Sequence, residues 1–233
     1  MAPDRGQAQC RPVQALAALR IEGLRLAGEA GGGCGPLDLT VRPGETALVV
    51  ARDLEMLRRL MKCCLAFEQP DSGRLSWWPG GCPGAGPGGW SGYAFFRQIG
   101  YVDRQSQLLH RWSLLDHFRF SRLYAGLSGK LGGRTLELLR ALRLEDQAEI
   151  PAENLPEPLR RLALYALALF QNPRLMLLER PFQFLDRDFA LVWSMIQDRV
   201  KARELAAVVF DRGQDIYPPG SFSQTAVFEP YAN

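Results

Sequence analysis

A carboxylate follows a short apolar segment in the second half of the chain, where it could hold a metal ion. Leu175 to Leu178 are all apolar, and Glu179 comes directly after them. A run that is apolar on both faces is typical of a buried parallel strand, so Glu179 would lie at the strand end where open α/β sheets bind ligands. Glu179 could hold magnesium through water. Arg180, the next residue, cannot accept a proton at any working pH, so it cannot serve as a general base.

The residues around this strand follow a specific order. Arg160 to Phe170 form an apolar run of helical length, Asn172-Pro173 ends it, and Pro181 follows the acidic strand end. This order resembles the ATPase domain of ABC transporters, in which Glu179-Arg180-Pro181 would stand at the Asp-Glu-Pro of the Walker B motif. The resemblance extends back to Gly44-Glu45 and to the Pro-Asp-Ser-Gly of residues 70–73, so it covers nearly the whole chain.

The resemblance implies an α/β fold of the P-loop NTPase-like ABC-cassette type, in which helices flank a mostly parallel core sheet. It predicts one cassette over residues 1–233. Residues 1–102 and 173–233 would form the RecA-like core with an antiparallel β subdomain, and 103–172 a helical subdomain. Residues 76–94 are rich in Gly, Pro and Trp and are interpreted as a flexible loop, with core packing or partner docking as alternatives for its tryptophans.

Hydrophobic patterning predicts the strands independently. Leu19 to Leu24 and Leu37 to Val41 alternate apolar and polar residues, which favours half-exposed antiparallel strands, with a turn at Gly31 to Pro36 between them. Thr46 to Val50 and Ala206 to Phe210 are continuous apolar runs and are predicted as buried strands.

The phosphate loop of the family departs from its motif here. Such a loop needs G-x-x-x-x-G-K-[ST], because its backbone N–H groups surround the phosphates, its Lys meets their charge and its hydroxyl holds magnesium. The aligned residues lack both glycines, the lysine and the hydroxyl: Ala51, Arg52, Asp53, Leu54, Glu55, Met56, Leu57 and Arg58. We interpret this segment as an ordinary helix from Leu54 to Leu65 with Asp53 as N-cap. A nucleotide held by Arg58 or Arg59 is the alternative.

Four further positions of the family differ as well. The LSGGQ signature, which binds the γ-phosphate of the opposite subunit, aligns with Leu155, Pro156, Glu157, Pro158 and Leu159. Prolines lack N–H donors and Glu157 repels phosphate, although all three are suitable at the start of a helix. The Gln near the metal aligns with Arg104, one residue before Gln105. The histidine near the γ-phosphate aligns with Asp211 or Arg212, and the adenine-stacking aromatic with Leu26 and Ala27. Asp186, by contrast, matches the D-loop aspartate.

An apolar stripe could form a partner surface. In the region where the family docks its membrane subunit, apolar residues recur at helical spacing: Leu109, Trp112, Leu115 and Phe118. Such a stripe fits either a partner groove or plain core. Arg180 is expected to pair with Glu179 or Asp186, and the two histidines, His110 and His117, are expected on the surface or in the groove.

Composition excludes several classes. A net charge of +3 without an aromatic-basic cluster does not favour nucleic acid, and two histidines do not support a His-rich metal site. The five cysteines are odd in number and include no C-x-x-C pair, which favours free thiols in a reducing cytosol: Cys10, Cys34, Cys63, Cys64 and Cys82. No apolar run is long enough for a membrane span. We therefore expect a cytoplasmic protein, and the resemblance to ABC cassettes implies that it is peripheral at the inner face of the cytoplasmic membrane.

Three functions remain open. The first is a catalytically degenerate ABC subunit that needs no cofactor and partners a permease and a second cassette, as homodimer or heterodimer, in transport. The Pro181-Phe182 pair resembles cassettes of lipid transport systems. The second is an ATPase with a rewired site that uses Mg-ATP. The third is a soluble scaffold protein unrelated to transport.

Overall fold

The computed structural model describes residues 17–28, 32–77, 96–124, 131–181, 186–213 and 215–232. Most of the Gly/Pro/Trp-rich segment predicted at 76–94 lies outside these residues, as do Cys10, Cys82 and Phe182. Cys34, Cys63 and Cys64 are free and buried, as expected from their number and spacing.

The core is a five-stranded parallel sheet. Its strands, in chain order, are β3 (Thr46–Val50), β5 (Ile99–Val102), β6 (Leu175–Glu179), β7 (Ala206–Asp211) and β8 (Gln224–Val227). They lie side by side in the order β5-β6-β7-β3-β8. All residues of β6 and β7 are buried, because the sheet is covered on both faces. The strands predicted from continuous apolar runs are confirmed.

A second, antiparallel sheet contains β4 (Ser72–Trp77), β1 (Leu19–Ala27), β2 (Gly32–Val41) and β9 (Pro230–Ala232), in that spatial order. The two predicted alternating strands are confirmed as β1 and β2, which pair with each other. The turn predicted at Gly31 to Pro36 is wrong, since β2 begins at Gly32. A side chain at Gly33 would collide with the Leu26 carbonyl and the Tyr231 ring, so the glycines that suggested a turn instead allow β2 to fit between β1 and β9.

Five α-helices complete the described structure: α1 (Leu54–Cys64), α2 (Leu114–Tyr124), α3 (Gly133–Ala141), α4 (Glu157–Phe170) and α5 (Asp186–Lys201). Two short 3-10 helices, Glu145–Gln147 and Ala152–Asn154, lie between α3 and α4. Alternate residues of β6 face two different cores. Met176 and Leu178 pack with α2 to α5, whereas Leu175 and Leu177 pack with α1 and the antiparallel sheet.

A capping box begins α2. The Asp116 carboxylate oxygen Oδ2 accepts hydrogen bonds from the Ser113 hydroxyl at 2.7 Å and from the Ser113 N–H at 3.1 Å. In return, the Asp116 N–H donates to the Ser113 hydroxyl oxygen at 3.2 Å. The hydrogen bonds from Ser113 lower the pKa of Asp116, and the bond from the hydroxyl has a larger effect than the bond from the N–H. Two N–H groups at the helix start are thereby satisfied.

Replacing Asp116 with Asn should lower the free energy of unfolding at neutral pH by about 0.5–1 kcal/mol, the low end for a cap because this side chain is partly exposed. A carboxyl whose folded pKa is lowered stabilises the protein above its unfolded pKa, about 3.9 for Asp. That stabilisation is lost as the pH falls through the folded pKa. Chemical denaturation across acidic and neutral pH should therefore show the free energies of unfolding of the wild type and Asp116→Asn converging in acid.

The control Asp198→Asn changes a carboxylate that is 76% exposed and should show no such convergence. A gap for Asp116→Asn that persisted in acid would contradict the assignment.

Candidate functional site

Three buried strands end next to one another and bring acidic residues to one edge of the parallel sheet. β6 ends at Glu179, β7 ends at Asp211, and Ala51 follows β3. β7 lies between β6 and β3, so the three strand ends are adjacent. Glu179 and Asp211 are only 4% and 5% exposed. A buried carboxylate without partners is costly, so the contacts of these two residues decide what the edge can bind.

Glu179 uses both carboxylate oxygens within the chain. Its Oε1 lies 3.4 Å from Nε of Arg58 in α1. Its Oε2 accepts a 3.2 Å hydrogen bond from the backbone N–H of Arg104, in the loop after β5. The Glu179 side chain is 2% exposed. A guanidinium therefore stands beside the carboxylate that the sequence suggested as a magnesium ligand.

Asp211 is enclosed in a similar way. Its Oδ2 accepts a 2.6 Å hydrogen bond from the hydroxyl of Tyr217, and its Oδ1 accepts a 2.7 Å bond from the N–H of Arg212. Nε of Arg180 lies 3.8 Å from Oδ1, close enough for an ion pair and too far for a hydrogen bond. Burial, and after it the charge on Asp211, raises the pKa of Tyr217. The tyrosine thus remains a protonated donor to a buried carboxylate.

The pairing of Arg180 with Glu179 was wrong, whereas the alternative pairing with Asp186 stays a prediction. Arg180 pairs with Asp211 rather than Glu179, and the side chain of Asp186 is outside the described part of the structure. The reason is the backbone, since the N–H of Arg180 donates to the carbonyl of Phe210 at 2.9 Å. That bond holds Arg180 beside the end of β7, next to Asp211. Arg180 has a positive backbone φ of 45°, which is uncommon for a residue other than glycine.

The segment aligned with the phosphate loop forms a capped helix. Only Ala51, Arg52 and Asp53 separate β3 from α1. Asp53 Oδ1 accepts hydrogen bonds from the N–H groups of Glu55 at 2.8 Å and Met56 at 3.4 Å. The predicted helix and its N-cap are confirmed, with Leu57, Met61 and Leu65 buried and Leu54 half-buried. Two N–H groups at this helix start, where an anion could bind, donate instead to the chain's own carboxylate.

No protein-family model matches the chain. Curated relatives include the lipoprotein-releasing system ATP-binding protein LolD of Granulibacter bethesdensis, 28% identical over 183 residues, which are 77% of this chain and 79% of the relative. LolD of Ehrlichia chaffeensis is 26% identical over 113 residues, 48% of each chain. The human ATP-binding cassette sub-family A member 10 is 26% identical over 108 residues, 46% of this chain and 7% of the relative. The match thus spans about half or less of the last two relatives.

Solved structures agree with the fold. A nucleotide-free ATP-binding cassette from an ABC transporter has a TM-score of 0.70 at 15% identity, over 91% of this chain and 88% of that one. CbiO1 of Clostridium perfringens, part of the ABC transporter complex cbiONQ, has a TM-score of 0.70 at 18% identity, over 91% and 85%. The chain has the fold of an ABC-type cassette, and its sequence is similar to those of ATP-binding subunits of ABC transporters. The parallel sheet, antiparallel sheet and helices described above are those of this fold.

The segment predicted to align with the signature forms the start of α4, as expected from its prolines. Pro156 is the N-cap, and Glu157 and Pro158 lie in the first turn. Oxygens of Glu157 accept hydrogen bonds of 3.0 Å from Arg160 and Arg161. Burial alone would raise the pKa of Glu157, but these hydrogen bonds lower it below its ordinary value. The acidic residue therefore serves its own helix at the position where the signature would meet phosphate. Leu155 is buried in the core.

Two contributors to the site were not predicted from sequence. Arg161 is 9% exposed, and its guanidinium donates to the carbonyls of Asp103 and Arg104, each at 2.9 Å. A sequence signal could have identified Arg161, because it is an arginine on the buried side of an apolar helix, four residues after Glu157. Tyr217 carries no comparable signal, because its contact with Asp211 forms through a loop.

Arg59 is held away from the sheet edge. Its Nε donates to Glu68 at 2.6 Å, and its Nη2 lies 3.4 Å from Asp71. A further hydrogen bond joins its Nη1 to the carbonyl of Ala27. Arg59 thus connects α1 to the antiparallel sheet. The alternative in which Arg59 holds a nucleotide would require breaking these contacts.

The predicted partner groove divides between surface and core. Leu109 is 52% exposed, whereas Phe118 is fully buried and packs against Phe170 with ring centroids 4.9 Å apart. Phe118 is therefore a core residue and does not line a groove. Trp112 and Leu115 are half-buried, and the ring of Trp112 lies 5.3 Å from that of Phe120. Phe120 and Leu123, 49% and 72% exposed, extend the apolar surface.

The two histidines differ in position. His110 is exposed. His117 is buried, its Nε2 accepts the N–H of Leu109 at 2.8 Å, and its Nδ1 lies 2.7 Å from the carbonyl of Ser113. Both ring nitrogens are engaged in holding the start of α2, so His117 has a structural role beneath the surface and does not belong to the sheet edge.

Among the described residues, no three His, Cys, Asp or Glu side chains are grouped as a metal site requires. None of the helices in the described ranges has the combined length and apolar character needed to cross a bilayer.

Replacing Asp53 with Ala should lower the free energy of unfolding by about 0.5–2 kcal/mol, because two N–H groups of α1 lose their acceptor. Asp53→Asn keeps an acceptor oxygen and should cost clearly less. Urea titration monitored by circular dichroism measures both values. An equal loss in the two variants would show that the side chain does not cap the helix.

Proposed function

We propose that the chain is a catalytically degenerate cassette, which acts as a structural or regulatory subunit of an ABC transporter. One observation carries the proposal: the groups at the sheet edge that would handle Mg-ATP in a cassette are engaged with the chain itself. Asp53 accepts from two N–H groups at the start of α1, and Arg58 forms an ion pair with Glu179. Arg180 stands at the position of the general base.

Electrostatics support the same proposal. A magnesium ion at Glu179 would have to displace Arg58, and the cation it displaced would remain close to the metal. A phosphate at the start of α1 would face the carboxylate of Asp53 and would find Leu57 in place of a lysine. Each of these residues opposes Mg-ATP, and with Arg180 they lie on two separate segments, the start of α1 and the end of β6. One compensating change could therefore not correct them.

The wild-type protein should show no heat of binding when titrated calorimetrically with Mg-ATP up to millimolar concentrations. The variant Arg180→Glu, which restores a carboxylate at the base position, should release no phosphate from ATP, because the phosphate loop is also missing. A catalytically active cassette measured under the same conditions is the positive control. Saturable binding at micromolar affinity would favour the rewired ATPase, and substantial hydrolysis by Arg180→Glu would overturn the proposal.

The expected partners are a membrane permease and a second cassette, identical or different, which supplies the active ATPase. The sequence similarity to ATP-binding proteins of transporters supports this role, and the exposed apolar residues at the start of α2 and along it provide a surface for the permease. Such an assembly would place the chain at the inner face of the cytoplasmic membrane. Among cargoes we favour a lipid-linked molecule, since two relatives are named for lipoprotein release.

Leu109→Glu should weaken association with the permease without unfolding the chain, because the side chain is 52% exposed. Trp112→Glu should do the same with some loss of stability, because Trp112 is half-buried. Co-purification of a multispan membrane protein from detergent extracts measures association, and thermal unfolding measures stability.

The control Val227→Glu, on a residue of β8 that is 55% exposed, should not affect association. Loss of the thermal transition in Leu109→Glu would place that residue in the core, and retained association in both variants would remove the surface from the proposal. A chain that associates with no membrane protein would instead fit the scaffold function.

A further inference from the structure

A continuous series of polar contacts crosses the molecule from α1 to α4 through Glu179. Arg58 of α1 meets one oxygen of Glu179, and the backbone N–H of Arg104 donates to the other. The carbonyl of Arg104 then accepts a hydrogen bond from Arg161 of α4. Arg161 also donates to Glu157 in the first turn of α4. Four separate segments of the chain are thereby joined by charged groups and one backbone unit.

The middle of this series is the loop that follows β5. Arg161 donates to two consecutive carbonyls of the loop, those of Asp103 and Arg104, which fixes both the position and the orientation of the peptide between them. The loop also has its own turn, in which Ser106 donates to the carboxylate of Asp103 through its N–H at 2.6 Å and its hydroxyl at 2.5 Å. The loop is thus held from the sheet side by Glu179 and from the helix side by Arg161.

Burial makes these contacts strong. The side chains of Glu179 and Arg161 are 2% and 11% exposed. Hydrogen bonds to charged groups are stronger than those between neutral groups, and a group left unpaired in such a place is costly. Opening the loop would leave a carboxylate oxygen on one side and a guanidinium on the other without these partners, so the contacts favour one closed arrangement.

We propose that Glu179 is a positioning residue that latches the loop 103–107, and through it α4, to the sheet without metal or nucleotide. The latch goes beyond the proposed function. It rests on that function in one respect: a magnesium ion bound to Glu179 would compete with Arg58 and Arg104 for the carboxylate. In this arrangement Arg58 supplies the positive charge beside Glu179, and the helix and the sheet stay connected regardless of any ligand.

Amide hydrogen exchange on the intact chain, without nucleotide, tests the latch. Glu179→Gln keeps the size of the side chain, but its amide nitrogen cannot accept a hydrogen bond, so it cannot accept from both Arg58 and Arg104. Exchange at Arg104 and through residues 105–107 should become roughly tenfold faster or more, while exchange in β7 stays the same. Arg161→Lys leaves Glu179 intact and removes the guanidinium that donates to the carbonyls of Asp103 and Arg104. It should therefore accelerate exchange in the same loop.

The double variant distinguishes a latch from general destabilisation. If Glu179 and Arg161 hold one loop together, the combined acceleration should be clearly less than the product of the two single effects. The control Glu68→Gln weakens an ion pair of α1 on its other side, with Arg59, and should leave exchange in the loop unchanged.

The proposal is overturned if exchange at Arg104 is unaffected by Glu179→Gln, or if every variant accelerates exchange evenly across the sheet. If Glu179→Gln does not fold, Arg161→Lys decides the matter alone by the same local readout. Binding of Mg-ATP by the wild-type protein would count against the proposed function and leave this result standing, because the exchange is measured without nucleotide.

Discussion

A negative charge is buried at the end of strand β6, and the surrounding structure compensates for it. Glu179 lies where water cannot solvate it, so its two oxygens need partners supplied by the chain. One partner comes from α1 and the other from the loop after β5. The relative position of these two segments is therefore tied to one carboxylate. Asp211, at the end of the neighbouring strand β7, is compensated in a similar way by a tyrosine hydroxyl, a backbone N–H and an arginine.

Under the proposed function, the same edge of the sheet would account for a cassette fold that persists without the usual chemistry. A strand end that carries a buried acid requires a positive or hydrogen-bonding partner, whatever supplies it. We propose that a metal ion and nucleotide supply it in an active cassette, and that arginines and a tyrosine supply it here. In that view the charge balance of the fold is retained while the ligand is not needed. Fold and function are separable for this reason.

The sequence alone predicted the elements whose patterns are local. Continuous apolar runs identified β3, β6 and β7, and the Asp53 cap with its apolar face identified α1, because such signals depend on neighbouring residues. The contacts between Arg58 and Glu179 and between Tyr217 and Asp211 could not be predicted, since they join residues distant along the chain. The contact between Arg180 and Asp211 was not predicted, because it depends on a backbone hydrogen bond from Arg180 to Phe210. Gly33 was misread because glycine favours turns and also permits close approach of strands.

The position of β3 has a consequence for how the protein is made. Both neighbours of β3, namely β7 and β8, come later in the chain, and Thr46 finds its partner at Ala207. At ribosomal rates of about 5–20 residues per second, roughly ten to thirty seconds pass before this apolar strand can pair. During that interval β3 cannot form its hydrogen bonds to β7 and β8, which raises the risk that the apolar segment aggregates. This inner strand of the finished sheet is thus vulnerable during synthesis, which favours a chaperone-assisted route to the folded state.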